Sequence, residues 1–265
     1  MLQYLGAVVR ADGEAEVRRA ARANLSAGAH FVKVLGGGGV ASPFDPLTSF
    51  QYSDNELKAA AEEARHFGTY ATIHVHLDEA VSRAVKLGFK MVEHATVLTE
   101  DTVKLMADEG VTWSGQCALF LSDPETSPAY SNETQREKAR FVYNGMMKTT
   151  ELVKKHNVKT LWGTDLIGPR KAYLELFPTE WTLRDKVFTP AENLQQATKN
   201  GGEAVALSGI KNPYPDGPLG VIEPGAYADI LLIKGNPLKD ISILTRYEET
   251  INLIMKDGKI YKNEL

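Results

Sequence analysis

The chain has a single cysteine, Cys117, among 265 residues, so an internal disulfide is excluded and a reducing, cytoplasmic compartment is expected. No apolar run approaches about 18 residues, which leaves no candidate for a helical membrane span. The first residues show no basic-then-apolar pattern, so no secretory signal is read there. A basic excess is also lacking. Lys and Arg number 30 against 34 Asp and Glu, a net charge of -4, which excludes a nucleic-acid partner because phosphates need cations to neutralise them. There is no internal repeat and no low-complexity tract. What is present is ordinary globular composition, 43% hydrophobic and 24% charged, in a chain long enough for one large domain or two smaller ones.

Apolar runs and helical spacing alternate along the chain. "DGEAEVRRAARANLSA" (12–27) has helical spacing, with Asp12 as expected N-cap and Gly28 as expected stop. "HFVKVL" reads as a strand halted by Gly36 to Gly39, and "SDNELKAAAEEARHFG" opens with Ser53 and Glu56, a capping box. "YATIHVH" and "FKMVEH" are strands, each followed by a helix, the second helix capped by Thr99. The strands are expected at 31–35, 70–74, 89–93, 111–115 and 158–164. A long helix is expected over 133–156 and another from Pro190 to about Gly209. Strand–helix alternation implies an α/β fold with a parallel sheet, whose functional groups gather at the C-terminal ends of the strands. After Pro213 the texture changes to short β-runs, with "KDGK" (256–259) as a hairpin turn, giving two expected regions, 1–212 and 213–265. The polar loop "SDPETSPAYSNET" (122–134) is long enough to act as a lid.

The strand ends carry the chemistry. Lys33 lies within the first strand, His74 and His76 end the second, His94 ends the third and Asp165 ends the fifth. A strand would point His74 and His76 to one face, since side chains alternate. Each residue has an ordinary reading taken singly: a snorkelling or paired lysine, a hydrogen-bonded histidine, a capping aspartate. Four such residues at successive strand ends have the composition of a metal site. A buried lysine needs a reason, because an unpaired ammonium is costly to bury, and carboxylation by CO₂ to an anionic carbamate is one.

With those residues in place, the chain resembles the amidohydrolase superfamily, in its imidazolonepropionase-like and Xaa-Pro dipeptidase-like branch. The matching stretches are "GAHFVKVLGGGGVASP", "YATIHVHLDEAVSRAVKLGFKMVEHAT", "TLWGTD" and "LGVIEPGAYADILLIKGNPLKDI". The resemblance implies a (β/α)8 barrel with part of a small β-sandwich subdomain. It makes Lys33 the carboxylated lysine of the fourth barrel strand, His74 the fifth-strand ligand, His94 the sixth-strand ligand and Asp165 the eighth-strand aspartate. His76 matches a neighbouring position that tends to touch substrate in this branch, with a structural role behind the ligands as its other reading. Members also carry a His-x-His pair on their first strand, and no such pair precedes Lys33 here. The resemblance therefore covers strands four to eight, to be completed by a missing N-terminal half or by a homo-oligomer partner.

The activity implied is metal-dependent hydrolysis of an amide bond, peptide-like or N-acyl amino acid, in a small substrate carrying a carboxylate. One or two divalent ions, zinc first, would activate water, and Asp165 would act as general base and then acid. Two rivals stand beside it: a truncated, non-catalytic half-barrel that binds another chain, and a Schiff-base lyase using Lys33. Arg140, Arg170 and Tyr143 are expected chiefly as solvated surface residues, with substrate contact as the other reading, and "WSGQCAL" (113–119) is expected to line the pocket, with Cys117 as packing rather than nucleophile.

Overall fold

Four parallel strands in the order β1-β2-β3-β4 hold the centre of the structure, a computed structural model that describes residues 8–166 and 170–265. They are β1 (Val32–Leu35), β2 (Ala71–Leu77), β3 (Met91–Val97) and β4 (Thr112–Ser114). Between them run α2 (Asp54–His66), α3 (Asp78–Lys86) and α4 (Glu100–Asp108), with α1 (Glu14–Ser26) ahead of β1. The expected fifth strand is reduced to one parallel bridge between Trp113 and Thr160, held by Trp113 N donating to Lys159 O and Leu161 N to Trp113 O. Its partner β4 stops at Ser114, so no further backbone is available for it to pair with.

Period-2 alternation divides the sheet into two faces. Val34, Ile73, Val75, Val92 and Trp113 share one face by register, and all but the half-buried Val34 are buried in the main core under the helices. The α3 helix supplies Ala80, Val81, Ala84 and Val85 to that core, spaced i, i+1, i+4, i+5 for one helical face. Lys33, Thr72, His74 and Glu93 share the other face. Burial of Lys33, expected from its place in a strand, is not found: it is exposed. The reason is positional. No strand flanks the outer side of β1 among the described residues, and Phe31 and Leu35 beside it are also 41% and 40% exposed.

After β4 come α5 (Cys117–Phe120), the polar loop and α6 (Glu133–Lys155), which packs on β3 and takes Asn132 as its N-cap. The α6 helix also ties down the glycine-rich loop after β1: Lys138 Nζ donates to the carbonyls of Gly39, Ser42 and Asp45 at 2.5–3.1 Å, and Gln135 Nε2 to Ala41 O at 2.8 Å. Gly38 is required there, because a Cβ would lie 2.0 Å from Pro46 O. Next are α7 (Arg170–Leu176) and α8 (Thr179–Arg184). The single helix expected from Pro190 is two, α9 (Pro190–Ala197) and α10 (Lys199–Ala206), broken at Thr198, whose φ of -119° and ψ of -90° are not helical.

The C-terminal part forms a separate antiparallel sheet, β5 (Ile230–Ile233), β6 (Ile251–Lys256) and β7 (Lys259–Asn263), with α11 (Tyr247–Thr250) leading into β6. The Asp-Gly hairpin is present, Asp257 and Gly258 both having positive φ (48° and 73°), as a primed turn requires. Tyr247 meets Phe177 edge-on at 5.9 Å, joining this part to the helices after β4.

The two expected helix starts differ in outcome. Ser53 forms the full capping box with Glu56. Asp12 caps nothing: the N-cap is Gly13, and the free amides of Asp12 and Gly13 are taken by the carboxylates of Glu16 and Glu56. Ser53→Ala is therefore expected to cost about 1 kcal/mol in urea denaturation, and Asp12→Ala less than about 0.5 kcal/mol. Equal losses would return Asp12 to a capping role.

Candidate active site

Three histidines from two strands converge. β2 alternation places His74 and His76 on one face. His94 is different, because its register partner is Val75, on the helix-covered face. Two left-handed residues solve this: His94 (φ 70°) and Ala95 (φ 44°) interrupt the ladder, whose register shifts between Val75 and Leu77, and swing the imidazole to the other side. Ring centres then lie 4.4 Å (His74–His94), 5.0 Å (His76–His94) and 5.1 Å (His74–His76) apart. Imidazoles sharing one tetrahedral ion through bonds of about 2 Å have ring centres about 5 Å apart. One nitrogen from each ring lies within 4.8 Å of the others, so the cluster is spaced to hold a metal ion.

Two of the rings also have an outer partner. His76 Nδ1 meets Thr96 Oγ1 at 3.1 Å and His94 Nδ1 meets Gln116 Oε1 at 2.7 Å. The tautomer of His94 follows from the hydrogen bonds. Gln116 Nε2 donates to Ser114 O at 2.7 Å, so Oε1 is the atom facing His94 and Nδ1 must carry the hydrogen. That leaves a lone pair on Nε2, which is buried with no hydrogen-bond partner. Asp165, itself left-handed (φ 46°), brings Oδ2 to 3.8 Å from that nitrogen, too far for a hydrogen bond.

Burial holds all three imidazoles neutral. It lowers His74 to about 3 and His94 to about 4, with His94 and Lys33 adding repulsion at His74, and it takes His76 well below its ordinary value. Neutral imidazole is the ligating form. By register Lys33 lies on the sheet face that carries His74, although it is exposed. Lys33, His74, His76, His94 and Asp165 are thus brought to one face.

The other sequence candidates fare unevenly. Arg140 is occupied by Glu125 and Glu133. Arg170 and Tyr143 are exposed. Burial pushes the Cys117 thiol up to about 12, which makes it packing and not a nucleophile. Reasoning from residues passed over Gln116, Thr96 and Phe120, whose ring stands edge-on to His76 and His94 at 5.3 and 5.6 Å. Gln116 lies within the "WSGQCAL" stretch expected at the pocket; its role depends on a cross-strand distance that no spacing encodes.

A parallel α/β sheet with histidines, a lysine and an aspartate gathered on one face has the donor set of a site that could hold a metal ion. The amidohydrolase family model matches residues 2–261, and the chain belongs to the amidohydrolase family. It is 28% identical over 258 residues to ochratoxinase from Aspergillus niger, covering 97% of this chain and 51% of that protein. The crystal structure of an amidohydrolase superposes with a TM-score of 0.88 at 35% identity, over 98% of this chain and 61% of the other. That of a prolidase complexed with N-methylphosphonate-L-proline superposes with a TM-score of 0.87 at 30% identity, over 97% and 61%. These neighbours carry the fold as an α/β structure of the (β/α)8 kind. The chain spans about half the length of the curated relatives it first matches. No described helix is long and apolar enough to cross a membrane.

The lowered histidines make stability pH-dependent. In the metal-free chain His94 titrates near 4 when folded and near 6.5 when unfolded, so between these values only the unfolded chain takes up the proton. Its contribution is complete above 6.5 and is lost as the pH falls towards 4. Going from about pH 7 to about pH 5 is expected to cost the parent about 2 kcal/mol more than His94→Asn, read from urea midpoints. Parallel pH profiles would mean that His94 is not held neutral by the fold.

Proposed function

We propose that this chain carries the metal-dependent hydrolase site of a larger barrel and cleaves amide bonds, peptide-like or N-acyl amino acid, in small substrates bearing a carboxylate. The observation that carries this is the imidazole cluster, one nitrogen of each ring within 4.8 Å of the others and the His76 and His94 rings each held by an outer partner, beside Asp165. Outer partners that fix ring orientation are what metal-ligating histidines have. The residues present fit a divalent ion, zinc first, by their nitrogen and oxygen donors and by the unpartnered Nε2 of His94.

His74 and His94 would hold the ion together with Lys33 as its carbamate, formed when the neutral amine adds CO₂ and releases a proton. Carboxylation would turn a cation that repels metal into an anion that binds it, and the exposure of Lys33 leaves the amine accessible to CO₂. The bound ion supplies Lewis-acid polarisation and a water of lowered pKa. Asp165 would take a proton from the attacking water as its oxygen bonds to the amide carbonyl carbon, and would deliver that proton to the leaving nitrogen as the carbon–nitrogen bond breaks. His76 faces the substrate. The prolidase bound to a proline derivative supports a carboxylate on the amine side of the substrate.

We read the sheet as strands four to eight of the family's barrel. No strand flanks the outer edge of β1 among the described residues, and Phe31 and Leu35 are exposed on it, which supports a further strand there, from an N-terminal half or a partner chain. The same edge favours the second reading, a non-catalytic module that pairs with another chain, which metal-independent association in the absence of hydrolysis would support.

Zinc-loaded chain is expected to hydrolyse N-acyl amino acids or Xaa-Pro dipeptides, slowly unless a further strand is supplied at β1. Asp165→Asn should fold and lose at least about a hundredfold in turnover. Lys33→Ala should lose activity and recover part of it with short carboxylic acids that replace the carbamate. Undiminished turnover in both variants would contradict the hydrolase reading.

A further inference from the structure

Among the described residues the most completely buried ion pair lies against the turn that carries Gln116, and it takes no part in the chemistry above. Glu180 and Arg184, both on α8 and both 0% exposed, join through Arg184 Nε and Glu180 Oε1 at 2.5 Å. The pair bonds the turn that leaves β4. Glu180 accepts from the amides of Cys117 at 3.1 Å and Ala118 at 2.5 Å, and Arg184 Nη2 donates to Gly115 O. Arg184 Nη1 donates to Gln196 Oε1 at 2.7 Å, anchoring the pair to α9. The residue enclosed by these contacts, between Gly115 and Cys117, is Gln116.

A buried ion pair is a weak source of stability, since desolvation offsets much of the attraction, so its retention calls for another purpose. Here geometry supplies one. Three backbone groups on either side of Gln116 are fixed by one rigid dyad, and Gln116 in turn decides which nitrogen of His94 carries hydrogen. The turn has no slack: a Cβ on Gly115 would lie 2.1 Å from the Trp113 ring, whose Nε1 donates to His94 O. We propose that Glu180 and Arg184 are positioning residues that clamp the Gly115–Ala118 turn so that Gln116 holds His94 with hydrogen on Nδ1 and Nε2 open towards the site. The pair sits on the helices that follow Asp165, so the same contacts tie that segment to the β4 turn.

The test is the tautomer of His94, read by nitrogen NMR on the full chain labelled with ¹⁵N-histidine and free of metal. This readout needs neither substrate nor ion, so it stands or falls apart from the hydrolase reading; the clamp rests on that reading only for its effect on zinc binding. The parent should show His94 as one tautomer with hydrogen on Nδ1. Gln116→Leu, which leaves the ion pair intact, should show both tautomers and bind zinc about ten- to a hundredfold more weakly, the range for loss of an outer-shell partner. The double variant Glu180→Gln/Arg184→Met, which leaves no orphan charge, should reproduce both effects while keeping the parent's circular dichroism. A single Nδ1–H tautomer in Gln116→Leu would overturn the proposal whether or not the double variant folds. So would a folded double variant with the parent's tautomer and zinc affinity.

Discussion

The site depends on two backbone dihedrals in β3. Left-handed φ at His94 and Ala95 is unfavourable for residues with a Cβ, by about 1–3 kcal/mol each, and persists only where the surroundings over-determine it. Those surroundings are visible. Ala95 is fully buried, the His94 carbonyl accepts from Trp113 Nε1 at 2.9 Å, and the His94 ring is held by Gln116. Without this break in the ladder His94 would stay with Val75 among the helix-covered residues, and no third imidazole would reach His74 and His76. The strain is local, and it is what converts an ordinary parallel strand into one side of a cluster.

From that point the rest is electrostatics at close quarters. Burial is the largest influence on all three imidazoles, with repulsion from His94 and Lys33 adding to it at His74, and it keeps the rings neutral. Asp165 Oδ2 lies 3.8 Å from His94 Nε2 and is more than a third exposed.

Much of this was legible in the residues themselves. Strand–helix alternation gave the parallel sheet, the Ser53–Glu56 and Thr99 caps were found at their helix starts, and "KDGK" folded as the hairpin it resembles. His74, His76, His94 and Asp165 do gather, the first two by strand alternation and His94 through the left-handed break in β3. What the residues could not show was anything set by tertiary spacing. Lys33 reads as buried from its apolar neighbours, yet it is open because of what does not flank β1. The break at Thr198 and the shortened fifth strand depend on partners distant in sequence. The role of Gln116 depends on a bond across 22 positions.

The central claim is that these histidines form a metal centre within this chain. Elemental analysis after zinc loading and desalting, with solution mass measured on the same sample, tests it most directly. About one tightly held ion per chain is expected, three protein ligands being what an open catalytic zinc site has, and His94→Asn should lose it. No retained ion at any loading would contradict the claim, and two ions per chain in a strict monomer would show that the ligands are wrongly placed.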